Sequence, residues 1–176
     1  MASNRAKEYT AVLVITLMTA ALGLYLSNRH DKLVVEKPRQ EIALKIADYT
    51  FQTSRGPVTV TESSYKEITA LYPRGKTLGM STVYRPDDVN LLFTFTEDSN
   101  ILTKLDIKTP SAITARNVKV GDSFDQVVKA YGSNYRKSYL SKSPEVFDVA
   151  YGKDNYLVFK INRGIVDKIV FDSALK

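Results

Sequence analysis

Most of this chain says the same thing twice, and that repetition constrains the fold more than any other feature of its 176 residues. Thr53-Ser54-Arg55-Gly56 returns as Thr114-Ala115-Arg116-Asn117, and Val58-Thr59-Val60 as Val118-Lys119-Val120. Tyr65-Lys66-Glu67-Ile68, with Tyr72-Pro73 behind it, returns as Phe124-Asp125-Gln126-Val127, with Tyr131-Gly132 behind it. Residues 91–107 then lie without a gap on residues 155–171, pairing Phe95 with Phe159, Ile101 with Ile165 and Lys104 with Lys168. Four matches in one order, at an offset that grows from about 60 to about 64 residues as loop insertions would make it, point to duplication of one structural unit.

Each copy has a physical reading. Gly56 and Asn117 hold matching positions and are the residue types that best tolerate positive φ, so a turn is expected there. Asp122 or Ser123 offers a side-chain oxygen to cap a short helix carrying Phe124, Val127, Val128 and Tyr131 on one stripe. Tyr65, Ile68, Leu71 and Tyr72 make the same stripe in the first copy, and Pro73 and Gly132 end the two helices. The period then drops to two, with Leu91, Phe93 and Phe95 on one face, and likewise Leu157, Phe159 and Ile161. Hairpin turns at residues 97–100 and 162–164 lead into closing strands. A small helix against an antiparallel sheet, made twice, is an α+β architecture: residues 41–110 form the first repeat and 111–176 the second.

Residues 9–28 carry no charged side chain and are mostly aliphatic. A helix of about 20 such residues matches the roughly 30 Å hydrocarbon core of a bilayer, so a transmembrane signal anchor is expected, between a tail at 1–8 and a polar linker at 29–40. Ala21-Leu22-Gly23 also resembles a cleavage site, which keeps a removable signal peptide in view, although apolar residues run on beyond it. Arg29, Lys32, Lys37 and Arg39 outnumber Arg5 and Lys7 and favour a cytoplasmic C-terminal side. A short tail ahead of a first apolar segment is instead the usual layout for export. The expectation is a single-pass protein of the cell membrane, with its folded domain on the extracytoplasmic side.

Composition removes several kinds of chemistry. Without Cys there are no disulfides, thiolate metal sites or lipidated N-terminal Cys, and with His30 as the single His, a Ser-His-Asp triad or His-rich metal site in the folded domain is excluded. The net charge is +6, of which residues 1–37 supply +2 and the remainder +4, with cations and acids interspersed.

The segment 118–132, VKVGDSFDQVVKAYG, resembles the short helix motif of BamE-like (SmpA/OmlA) envelope modules, through Gly121-Asp122-Ser123, Val127 and Gly132. Tandem helix-plus-sheet units are also similar in layout to the secreted β-lactamase inhibitor protein. The resemblance implies a binding or assembly role in the cell envelope rather than catalysis. It transfers no functional residue: no lipidation Cys is present, and the first copy has Thr61-Glu62 where Gly-Asp would stand.

Other motifs are weaker. Gly75-Lys76-Thr77 lacks the earlier glycine of a phosphate loop, since Ala70 stands there. Ser63-Ser64-Tyr65-Lys66 matches the S-x-x-K pattern, which makes a Ser/Lys hydrolase using Ser63 and Lys66 the enzymatic alternative. Asp87-Asp88 and Glu97-Asp98 offer oxygens for a hard cation but form no ligand ladder. No metal, cofactor, nucleic acid or small-molecule substrate is therefore expected. Eleven tyrosines suit core packing with the hydroxyl at the rim. The long, basic connection at 133–144 supplies the candidate partner surface, Tyr135, Arg136, Lys137, Tyr139 and Lys142. The expected function is non-catalytic binding of another envelope component, protein or wall polymer, with an inhibitor or stabiliser of a neighbouring membrane protein as a further alternative.

Overall fold

The computed structural model describes residues 31–41, 43–78 and 82–173. The chain from Val34 onward forms one compact unit, and of the segment Met1–Leu33 only residues 31–33 are described. Among the described residues twelve strands follow one another: β1 (Leu33–Glu36), β2 (Thr50–Thr53), β3 (Gly56–Thr59), β4 (Gly75–Thr77), β5 (Val83–Pro86), β6 (Leu91–Phe95), β7 (Leu102–Ile107), β8 (Ala112–Thr114), β9 (Arg136–Leu140), β10 (Val146–Tyr151), β11 (Tyr156–Asn162) and β12 (Ile165–Asp172). Helix α1 (Tyr65–Leu71) lies between β3 and β4, and α2 (Phe124–Tyr131) between β8 and β9. A 3-10 turn at Ile46–Tyr49 precedes β2.

Nine strands make one sheet in the order β1-β9-β10-β11-β12-β7-β6-β5-β4, antiparallel at every step from β9 to β4. Alternation drives it. Leu91, Phe93 and Phe95 of β6 and Leu157, Phe159 and Ile161 of β11 turn to one face and are buried, each such side chain contributing about 1.5–3 kcal/mol by leaving water. That face is covered by three elements in a row. Tyr65 and Tyr72 of the α1 region pack on Phe95 and Phe93, with centroids 5.2 and 5.5 Å apart. A second sheet, β3-β2-β8, lies over the centre, where Phe51 meets Phe171 at 6.1 Å. Phe124 and Tyr131 of α2 then pack on Phe147 and Phe159, both at 5.2 Å.

The caps explain why two such short helices hold. Ser64 Oγ accepts from the Glu67 N–H at 3.3 Å while the Glu67 carboxylate accepts from the Ser64 N–H at 2.8 Å. Ser123 and Gln126 repeat the exchange at 3.3 and 2.9 Å. At the end of α2 the backbone turns to φ +88° at Gly132, a left-handed value that favours glycine.

The element order reads alike from either side of the β12–β7 seam: helix, then four strands of which the last lies innermost. Local hydrogen bonds match too. The Tyr65 N–H donates to the Asn100 carbonyl at 2.9 Å and the Leu102 N–H to that of Ser63 at 2.8 Å, as Phe124 does to Gly164 at 2.8 Å and Val166 to Asp122 at 2.9 Å.

Two expectations are corrected. The fold is mostly antiparallel β rather than α+β: the helices are two turns each, and the strands join into one continuous sheet, because the ladder from Ile169–Ile107 to Asp172–Lys104 fuses the strands of both halves. The expected membrane anchor at 9–28, with the tail at 1–8, lies outside the described residues. No helix among the described residues is long and apolar enough to cross a membrane, and the single-pass, cell-membrane address is withdrawn.

Candidate functional site

Residues 136–140, expected within a loop, form strand β9, paired with β10 through Phe147–Tyr139, Asp148–Ser138, Val149–Lys137 and Ala150–Arg136. The pleat divides the five candidate residues. Lys137 and Tyr139 sit on the helix-bearing face beside Phe147 and Val149, where Tyr135 also packs, 5.7 Å from Phe124 and 5.8 Å from Tyr151. Arg136 points to the opposite face, and Lys142 lies exposed in the turn after the strand.

On the helix-bearing face the Lys137 ammonium stands 4.5 Å from the centre of the Phe147 ring and 5.1 Å from that of Tyr139, inside the range where the negative ring faces attract a cation. Phe124, Tyr135, Lys137, Tyr139 and Phe147 are all half-buried, so this surface is aromatic, cationic and open to solvent at its rim. A hydrogen bond to Glu36 raises the pKa of the Tyr139 phenol, with burial adding to it, so the hydroxyl stays neutral. On the other face Arg136 donates to Glu41 at 2.7 Å and lies 5.4 Å from the centre of the Tyr156 ring. It serves to tie residue 41 to the sheet.

The repeat also builds an arginine over a tyrosine in each half. Arg55 stands 4.8 Å above Tyr72 and donates to the Leu71 carbonyl at 3.3 Å. Arg116 stands 4.5 Å above Tyr131 and donates to the Ala130 carbonyl at 3.2 Å. Each guanidinium has its carboxylate: Asp88, which also accepts from Arg74 at 3.1 Å, and Asp48, which receives Arg116 at 2.7 and 2.6 Å through both oxygens. Burial pushes Tyr131 up to about 12, the Thr114 hydroxyl pulling the other way, and raises Tyr72 and Tyr151 as well. A later strand's tyrosine closes each helix end: Tyr84 donates to the Tyr72 carbonyl at 2.5 Å and Tyr151 to that of Gly132 at 2.8 Å. Sequence reading missed the arginines, and the signal was present, since Arg55 aligns with Arg116 and Tyr72 with Tyr131.

The remaining motifs have structural partners. Ser63 Oγ accepts from the Thr59 N–H at 3.0 Å, and no hydrogen bond joins it to Lys66, which is exposed on α1. The Asp122 carboxylate accepts from the Lys119 N–H at 2.9 Å, Ser123 caps α2, and Lys76 belongs to β4. Asp88 is committed to two arginines. No group of three or more His, Cys, Asp or Glu side chains placed to hold a metal occurs among the described residues.

No family model matches the sequence, and no curated protein does. The expected BamE-like and β-lactamase-inhibitor-like membership is therefore withdrawn. Segment 118–132 carries helix-capping chemistry, which unrelated chains share. Among solved structures the chain is similar to a DUF4309 family protein (YjgB) from Bacillus subtilis subsp. subtilis str. 168, at 13% identity and a TM-score of 0.47, over 65% of this chain and 81% of that one.

Proposed function

We infer that residues 34–176 are a non-catalytic binding module whose recognition surface is the aromatic and cationic patch at the β9 end of the helix-bearing face. One observation carries the reading: the Lys137 ammonium lies over the rings of both Phe147 and Tyr139 on a half-buried surface, with Tyr135 and Phe124 continuing it. Rigid rings of this kind offer large contact area at little conformational cost, and a cation held over them favours an acidic partner. The partner class that fits is a protein presenting carboxylates beside apolar side chains. The chain's net charge of +6 favours the same encounter. The Ser/Lys alternative gains nothing from Ser63, whose hydroxyl is held by a backbone N–H.

The two faces of β9 supply the test. A photo-crosslinking residue placed at Tyr139 captures the partner in cells, whereas one placed at Ser138, on the opposite face, does not. Capture is lost in Lys137→Ala. Equal capture from both positions, or capture unaffected by Lys137→Ala, overturns the reading.

A further inference from the structure

We propose that a cleft on the opposite, helix-free face of the nine-stranded sheet is a binding site for a compact oxyanion group bearing a short apolar tail. The cleft has a volume of about 240 Å³ and is walled by Leu78 and Leu92 and by the charged side chains of Arg85, Asp106, Lys108 and Lys168, with Asn90 at its rim. Asp106 is buried and ion-paired with Lys168, so those two charges are spent on each other. Arg85 and Lys108 are exposed and have no ion-pair partner among the described residues.

The sheet register makes this excess costly. Arg85 lies directly opposite Lys76, and Lys168 directly opposite Lys160. Like charges facing across antiparallel strands destabilise the pairing. Lys160 is relieved by Asp148 at 2.6 Å, but no described acid relieves Arg85. An anion in the cleft would supply the missing charge: the guanidinium presents a planar fork that suits a phosphate or carboxylate, and Lys108 adds a point charge. Leu78 and Leu92 give a few carbon atoms somewhere to leave water. A volume this small suits a small metabolite-sized acid rather than a polymer. The proposal concerns a different face from the β9 patch, and neither depends on the other.

Calorimetric titration of the full chain with inorganic phosphate, butyl phosphate and butyrate tests it. Saturable one-to-one binding is expected, tighter for butyl phosphate than for inorganic phosphate because the tail contacts the leucine wall. Arg85→Gln and Lys108→Gln each weaken it by about tenfold, the loss of one charged contact, while Lys137→Ala leaves it unchanged. Whichever of butyl phosphate and butyrate binds tighter names the oxyanion. Absence of saturable binding for all three probes overturns the proposal, as does wild-type affinity in both Gln variants.

Discussion

The two arginine-on-tyrosine clusters differ in their carboxylate: where it comes from, how deeply it is buried and how many arginines it serves. In the N-terminal half Asp88 arrives from the loop after β5, is exposed, and is shared between Arg55 and Arg74. In the C-terminal half Asp48 comes from the 3-10 turn before β2, is 2% exposed, and grips Arg116 with both oxygens across 68 residues of chain. Asp88 therefore makes a solvated contact of the kind that contributes little, whereas Asp48 is a buried acceptor that also takes the Lys45 N–H at 2.9 Å. The same arginine-on-tyrosine pair thus carries a solvated carboxylate in one half and a buried one in the other, where it ties the 3-10 turn before β2 to the end of α2.

The largest expected effect breaks that tie. Asp48→Ala leaves Arg116 without its acceptor and costs about 3 kcal/mol, seen as a lower midpoint in urea unfolding; a loss as small as that of Asp88→Asn would erase the distinction. Next comes alkali. The Tyr131 phenol ionises near 10 in the unfolded chain and at about 12 in the folded one, so its stabilising contribution is complete below pH 10 and is lost as pH rises towards 12. Tyr131→Phe therefore flattens the fall in stability above pH 10, and Tyr72→Phe flattens it less; pH-dependent unfolding read by circular dichroism decides. Ser64→Ala and Ser123→Ala remove matching caps and should each cost about 1 kcal/mol, equal within error. Asp88→Asn is the smallest change, with a midpoint indistinguishable from wild type.

Local chemistry was legible. The cap at the start of α2, the positive φ of +61° at Asn117 and the period-two strands follow from residue type and spacing, whereas the Ser64 cap went unread. What sequence alone left out is long-range: nothing near Asp48 announces Arg116, and nothing near Ile107 announces Ile169. The two short helices form where the apolar stripes put them, but the fold class was missed for a related reason. Seven- and eight-residue helices occupy as much of a sequence diagram as a strand does, yet the joined sheet sets the architecture. The candidate surface suffered from taking 133–144 as a loop. Once it is a strand, the pleat separates Arg136 from Lys137 and Tyr139, and Phe147, absent from the candidate set, becomes part of the patch.

The seam between β7 and β12 has a further consequence. It centres on Val170 opposite Asp106, and those two positions match in the repeat; Phe171 faces Leu105 just as Ile169 faces Ile107. A strand pairing of that symmetry is the one two identical chains would make across a dyad. Severed at the connection near residue 110, each fragment would present an open edge already shaped for a copy of itself. The covalent link keeps that edge occupied from within and denies it to neighbours, so the centre of the nine-stranded sheet is closed by one chain.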